Sequence, residues 1–149
     1  MDLPRLFDDL VRLETDLWNA IDAALRQESG VPLGSLDVLR VIARTPGCRV
    51  GDIAGALSIT IGGASQAVDR LEKRDLCVRV PHPSDRRSSL VQLNEAGRSL
   101  AESAGLVFER ELAARLGGSL PESELDRLGA ALATLRAALS RGTDSGTTA

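Results

Sequence analysis

Apolar residues recur every three or four positions along most of this 149-residue chain, and the rhythm breaks once, between residues 77 and 93. There Val78 and Val80 alternate with Arg79, and Leu90-Val91-Gln92-Leu93 follows the turn-rich Pro81-His82-Pro83-Ser84-Asp85-Arg86-Arg87-Ser88. Period-two flanks around a polar stretch predict a two-stranded hairpin with a long tip. A lone hairpin is not stable in water, so this one must pack on helices. The chain is therefore expected to be mainly α with one small β element.

The helices are read from spacing and punctuation. Leu6, Leu10, Leu13, Leu17, Ile21 and Leu25 mark a long amphipathic helix from Pro4 to about Gln27, broken by Gly30-Val31-Pro32-Leu33-Gly34. Ser35 is expected to cap a second helix, ended by Pro46-Gly47, with a short extended piece at Cys48-Arg49-Val50. A short third helix covers Gly51 to Leu57, and Thr60 caps a fourth that runs to about Arg74 over Ala64, Ala67, Val68 and Leu71. After the hairpin, Asn94 caps a long helix closed by Gly117-Gly118, and Pro121 opens a last one. Three short helices and a hairpin make a winged helix-turn-helix. The expected divisions are an N-terminal dimerisation helix and linker at 1–33, the winged helix-turn-helix at 34–93, C-terminal dimerisation helices at 94–141 and a disordered tail at 142–149.

Composition excludes much else. The 43% hydrophobic content suits a compact core, and no stretch approaches the roughly 20 apolar residues of a membrane span. Met1-Asp2-Leu3-Pro4-Arg5 lacks the basic start of a signal peptide, and two cysteines, Cys48 and Cys77, suit a reducing compartment. A soluble, cytoplasmic protein with no membrane partner is expected. With one histidine, one lysine and no CxxC or HExxH, neither a metal site nor a nucleophile–base pair can be assembled. No cofactor and no enzymatic activity are expected.

Net charge is −3, yet its distribution is uneven. Residues 34–93 hold nine basic and six acidic side chains, a surplus of three positive charges, whereas the flanks together carry −6. A basic centre between acidic ends suits a module that meets nucleic acid.

Asp52 to Thr60 followed by Ile61-Gly62-Gly63-Ala64-Ser65-Gln66 has helix-turn-helix spacing, with small residues at the start of the second helix. Gly62 and Gly63 each cost about 1 kcal/mol of helix propensity. Fraying or close packing on a neighbouring helix would explain them, as would close approach to DNA; the hairpin that follows favours DNA. Ser65, Gln66 and Arg70 lie away from the core stripe, where Gln can pair with adenine and Arg with a base or phosphate. Arg74 and Lys73 read as compensation of the helix dipole. At the hairpin tip, Arg86 and Arg87 suit the minor groove, and Asp85 is expected to hold an Arg side chain. On the outer helices, Leu6, Leu10, Leu13 and Leu17, and then Leu125, Leu128, Leu132 and Leu135, form seams that one chain cannot bury and so predict dimerisation.

Leu57-Ser58-Ile59-Thr60, Val68-Asp69-Arg70-Leu71-Glu72-Lys73-Arg74-Asp75-Leu76, Pro81-His82-Pro83-Ser84-Asp85-Arg86-Arg87-Ser88 and Val91-Gln92-Leu93-Asn94-Glu95-Ala96-Gly97 together resemble the MarR family of bacterial transcription regulators. The resemblance spans essentially residues 1–141. It implies an obligate homodimer on a pseudo-palindromic double-stranded DNA operator, the helix from Thr60 in the major groove and Arg87 in the minor groove. It also implies a small, often phenolic or otherwise anionic effector that releases the DNA. The chain departs from the family in Asp75, where Gly is usual, and in the Ile61-Gly62-Gly63 start, which lacks the usual polar residues. Two other classes stay open: a helical protein–protein adaptor with a degenerate winged module, and a regulator switched by oxidation of Cys48 or Cys77.

Overall fold

The computed structural model describes residues 1–144, with side chains to residue 141. Its elements are α1 (Leu3–Ser29), α2 (Leu33–Arg44), α3 (Val50–Leu57), α4 (Ile61–Lys73), β1 (Cys77–Pro81), β2 (Ser89–Leu93), α5 (Glu95–Leu112), a π-helical turn (Ala113–Gly117) and α6 (Glu122–Asp144). The chain is mainly helical, with the single hairpin expected from the change of period. Helix α6 continues to Asp144, past the end expected at 141, and residues 145–149 lie outside the described residues.

Two compact units divide at residue 111/112. In the first, Leu36, Val38, Leu39, Val41 and Ile42 put the apolar face of α2 at the centre of the core. It packs against α1, α3, α4 and β2. Ile53 and Ala54 from α3, Ala64, Ala67, Val68 and Leu71 from α4, and Val91 and Leu93 from β2 complete that core. The stripe expected for α4 is the buried one. The second unit contains the π-helical turn and α6, whose leucines stay largely exposed.

Helix α2 does not start as expected. Its N-cap is Pro32, two residues inside the predicted break, and Ser35 lies within the first turn. Pro32 has no side chain to accept a bond, and the free Leu33 N–H is met instead by Asp22 Oδ1 of α1 at 2.8 Å. A cap supplied from another helix does the work assigned to Ser35.

The hairpin is antiparallel, with Cys77 opposite Leu93 and Arg79 opposite Val91. Cys48 O accepts from Val91 N at 2.8 Å, so the short extended piece before α3 touches the hairpin edge through one bond. A dense knot ties the hairpin to α5. Asn94 Oδ1 accepts from Gly97 N at 2.8 Å, Asn94 N donates to Leu76 O at 3.2 Å, and Asn94 Nδ2 donates to Asp75 O. Gly97 is required here, because a Cβ at that position would overlap the Leu76 carbonyl oxygen. Asp75 itself adopts φ +54°, so the turn keeps the left-handed backbone despite lacking glycine.

Candidate nucleic-acid interface

The helix-turn-helix is built by local caps. Asp52 Oδ2 accepts from Arg49 N at 2.8 Å at the start of α3, and Ser58 ends that helix with φ 53°. Ile59 N returns to Ala54 O at 3.0 Å, which closes the turn. Thr60 Oγ1 then accepts from Gly63 N at 3.0 Å, the cap expected from the sequence. A Cβ on Gly63 would crowd that oxygen at 3.1 Å, whereas Gly62 faces open space. Close packing on a neighbouring helix therefore does not account for Gly62.

Gln66 and Arg70 are exposed along α4, as are Thr60 and Gly62. Ser65 is not free in the same way. It is half-buried, and Arg79 Nη2 of β1 bonds both its Oγ and its carbonyl oxygen at 3.2 Å. Arg79 Nη1 also pairs with Asp69 at 2.8 Å and with Glu72. Burial opposes the charge of Arg79, but hydrogen bonds and attraction from Asp69 and Glu72 outweigh it and raise its pKa.

Sequence reasoning missed this cluster because it noted only that Val78 and Val80 alternate with Arg79 and assigned neither set a face. The structure sets the parity: Cys77 is buried, Val78 is exposed, and Arg79 turns toward α4. Cross-strand pairing enforces it, since Val91 and Leu93 are buried and stand opposite Arg79 and Cys77. Two carboxylates one turn apart on α4, Asp69 and Glu72, were the available signal for an inward arginine.

At the wing, Asp85, Arg86 and Arg87 are all exposed. Asp85 does not hold an Arg side chain. Its Oδ1 accepts from the Arg87 backbone N at 3.0 Å and its carbonyl accepts from Ser88 N at 3.2 Å, so it shapes the turn. His82 Nδ1 likewise accepts from Ser84 N at 3.0 Å. Among the described residues, no hydrogen bond or ion pair engages the guanidinium groups of Arg70, Arg86 or Arg87. Arg74 differs: its Nη2 bonds Gly30 O at the end of α1 at 3.2 Å.

Burial raises the pKa of both thiols. Cys48 and Cys77 are both buried. Burial pushes the Cys77 thiol up to about 11; Glu72 adds to this and Arg79 partly opposes it. At neutral pH it is protonated and a poor nucleophile. A cavity of about 470 Å³ between α2 and α5 is lined by Arg40, Ala43, Arg44, Arg98, Ala101 and Glu102. Arg40 lies 4.6 Å from the ring centre of Phe108.

Residues 31–89 match the family model described as MarR family. An HTH-type transcriptional regulator of Mycobacterium bovis is 31% identical over 129 residues, spanning 83% of this chain and 90% of that protein. Among solved structures, the transcriptional repressor CouR bound to a 23-mer DNA duplex is similar at a TM-score of 0.80 and 28% identity, covering 86% of this chain and 89% of that one. CouR from Rhodococcus jostii RHA1 bound to p-coumaroyl-CoA gives 0.77 at 25% identity, over 90% of this chain and 91% of that one.

Proposed function

The chain belongs to the MarR family of DNA-binding transcriptional regulators, and we propose that it acts in the cytoplasm as a homodimeric repressor on a pseudo-palindromic operator. It regulates rather than catalyses. In this reading α4 enters the major groove from Thr60, Gly62 lets the backbone approach, and Gln66 and Arg70 reach bases or phosphates. Arg86 and Arg87 serve the minor groove, with Asp85 fixing the turn that presents them.

One observation carries the proposal. Arg79 pairs with both Asp69 and Glu72 on α4 and offsets one of their two charges, while Arg70, Arg86 and Arg87 keep guanidinium groups that nothing in the described chain engages. The charge left for a partner is positive, although the chain as a whole is acidic.

Dimerisation is supported by the outer leucines. Leu6 and Leu13 on α1, and Leu132 and Leu135 on α6, are exposed in the single chain, while Leu10, Leu17, Leu125 and Leu128 are half-buried. Two-fold symmetry would present two copies of α4 to successive turns of the groove. The effector is proposed to be a small anion that enters the cavity between α2 and α5, where Arg40, Arg44 and Arg98 line the wall against a single acid, Glu102. The likeness to CouR bound to p-coumaroyl-CoA supports an anionic ligand.

The test is a salt titration of binding to a fluorescent duplex enriched from random DNA. Affinity should fall steeply with salt, and Arg87→Ala should lower it at least tenfold with a shallower slope and an intact dimer. Unchanged affinity in Arg87→Ala would remove the wing from the interface.

A further inference from the structure

The start of α4 carries a side chain to which DNA recognition as described above gives no role. Among the large apolar residues of 31–93, only Ile59, Ile61 and Val78 are exposed, and Ile61 is the most exposed at 67%. A single exposed isoleucine is ordinary. Its position is what matters. Ile61 is the first residue of α4, outside the buried stripe of Ala64, Ala67, Val68 and Leu71. Side chains on a helix tilt toward its N-terminus, so Ile61 projects beyond the leading turn. The next residue, Gly62, faces open space and leaves that projection unobstructed.

The nearby polar oxygens already accept hydrogen bonds. Thr60 Oγ1 accepts from Gly63 N, and the Ser65 hydroxyl and carbonyl are held by Arg79. The leading turn of α4 therefore offers a base edge a mainly apolar contact, with Gln66 the next free polar side chain along the helix. On the floor of the major groove one base presents an apolar group, the C5-methyl of thymine.

We propose that Ile61 is a specificity-determining residue that packs on a thymine methyl in each half-site. The inference rests on α4 occupying the major groove, as proposed above. A stiff β-branched side chain suits such a contact, because little rotamer freedom is lost when it is made. The apolar residue at this point shifts recognition from hydrogen bonding to methyl contact.

The experiment uses the full chain and a duplex enriched from random DNA. Thymines are replaced in symmetric pairs by deoxyuridine, which removes the methyl and leaves the hydrogen-bonding pattern intact, and Kd is measured at constant salt. At one pair the affinity should fall about fifteenfold, about fourfold for each methyl, the weight of one buried methylene. Ile61→Ala should bind the thymine and uracil duplexes equally while still binding both. The proposal is overturned if no uracil pair weakens the native protein, or if Ile61→Ala keeps the same uracil penalty. Binding of an enriched duplex without any methyl effect overturns only the role of Ile61. A selection that enriches no sequence overturns the major-groove reading, and this proposal with it.

Discussion

The winged module and the outer helices carry the same three-four spacing of apolar residues and meet opposite fates. In α2, Leu36 and Leu39 are fully buried by α3, α4 and the hairpin. In α6, Leu132, Leu135 and Leu139 step in the same rhythm and remain 37%, 52% and 73% exposed. Helix α1 contains both outcomes, with Leu3, Leu6 and Leu13 exposed and Ile21 and Leu25 buried. Periodicity thus reports that a face needs cover. Whether the chain itself provides that cover depends on what the fold brings alongside, and for the outer seams a second copy is the proposed cover.

Substitutions in the two regions should separate these fates. The largest effect is expected at Leu135→Ala. Losing one buried leucine of about 2 kcal/mol, counted twice by symmetry, should weaken the dimer about a thousandfold. Sedimentation should show monomers whose α2 core still melts cooperatively; a mutant that stays dimeric at nanomolar concentration would take Leu135 out of the interface. Leu36→Ala should instead destabilise the fold itself by about 3 kcal/mol, since it opens a cavity in a packed core. Urea unfolding would detect it, and a loss under 1 kcal/mol would mean that the core around α2 relaxes freely.

A smaller change is expected where the module's charges are arranged. Arg79→Met should leave Asp69 and Glu72 uncompensated on α4 and lower DNA affinity about tenfold. Adding Asp69→Asn and Glu72→Gln should recover most of that loss if the damage is electrostatic. No recovery would assign Arg79 a packing role alone.

The smallest effect joins the two regions. Asp22→Ala removes the carboxylate of α1 that caps α2 and should cost about 1 kcal/mol. Burial raises the Asp22 pKa, but hydrogen bonds from Leu33 N and Arg26 outweigh it and hold the carboxyl below its ordinary 3.8. The cap's contribution is therefore complete above that ordinary value and is lost as pH falls through the lower folded one. Native and mutant stabilities should converge in acid. A difference that persists below that range would mean Asp22 acts through packing.

These residues also show what the sequence could and could not convey. Thr60, the hairpin and the buried stripe of α4 were legible because each depends on neighbours within a few positions. Asp22 capping Leu33 was not, since the acceptor lies eleven residues before the donor and on another helix. Arg79 was left without a face because an alternating Val-Arg-Val segment fits either one until the opposite strand and the acids of α4 decide its parity. Asp85 failed in a third way: a turn aspartate can serve a side chain or a backbone N–H, and here the backbone of Arg87 is nearer. Gly97 announced nothing by composition, and its need appears only where α5 passes the Leu76 carbonyl.

We propose that a basic winged module reads DNA in pairs, set by outer helices that need a second copy. Selection from random DNA by the purified protein tests it most directly. The expected product is a pseudo-palindrome whose half-sites lie about 10 base pairs apart, centre to centre, or a multiple of that helical repeat. Enrichment of a single unrepeated half-site would contradict the paired arrangement, and enrichment of no sequence would contradict specific recognition altogether.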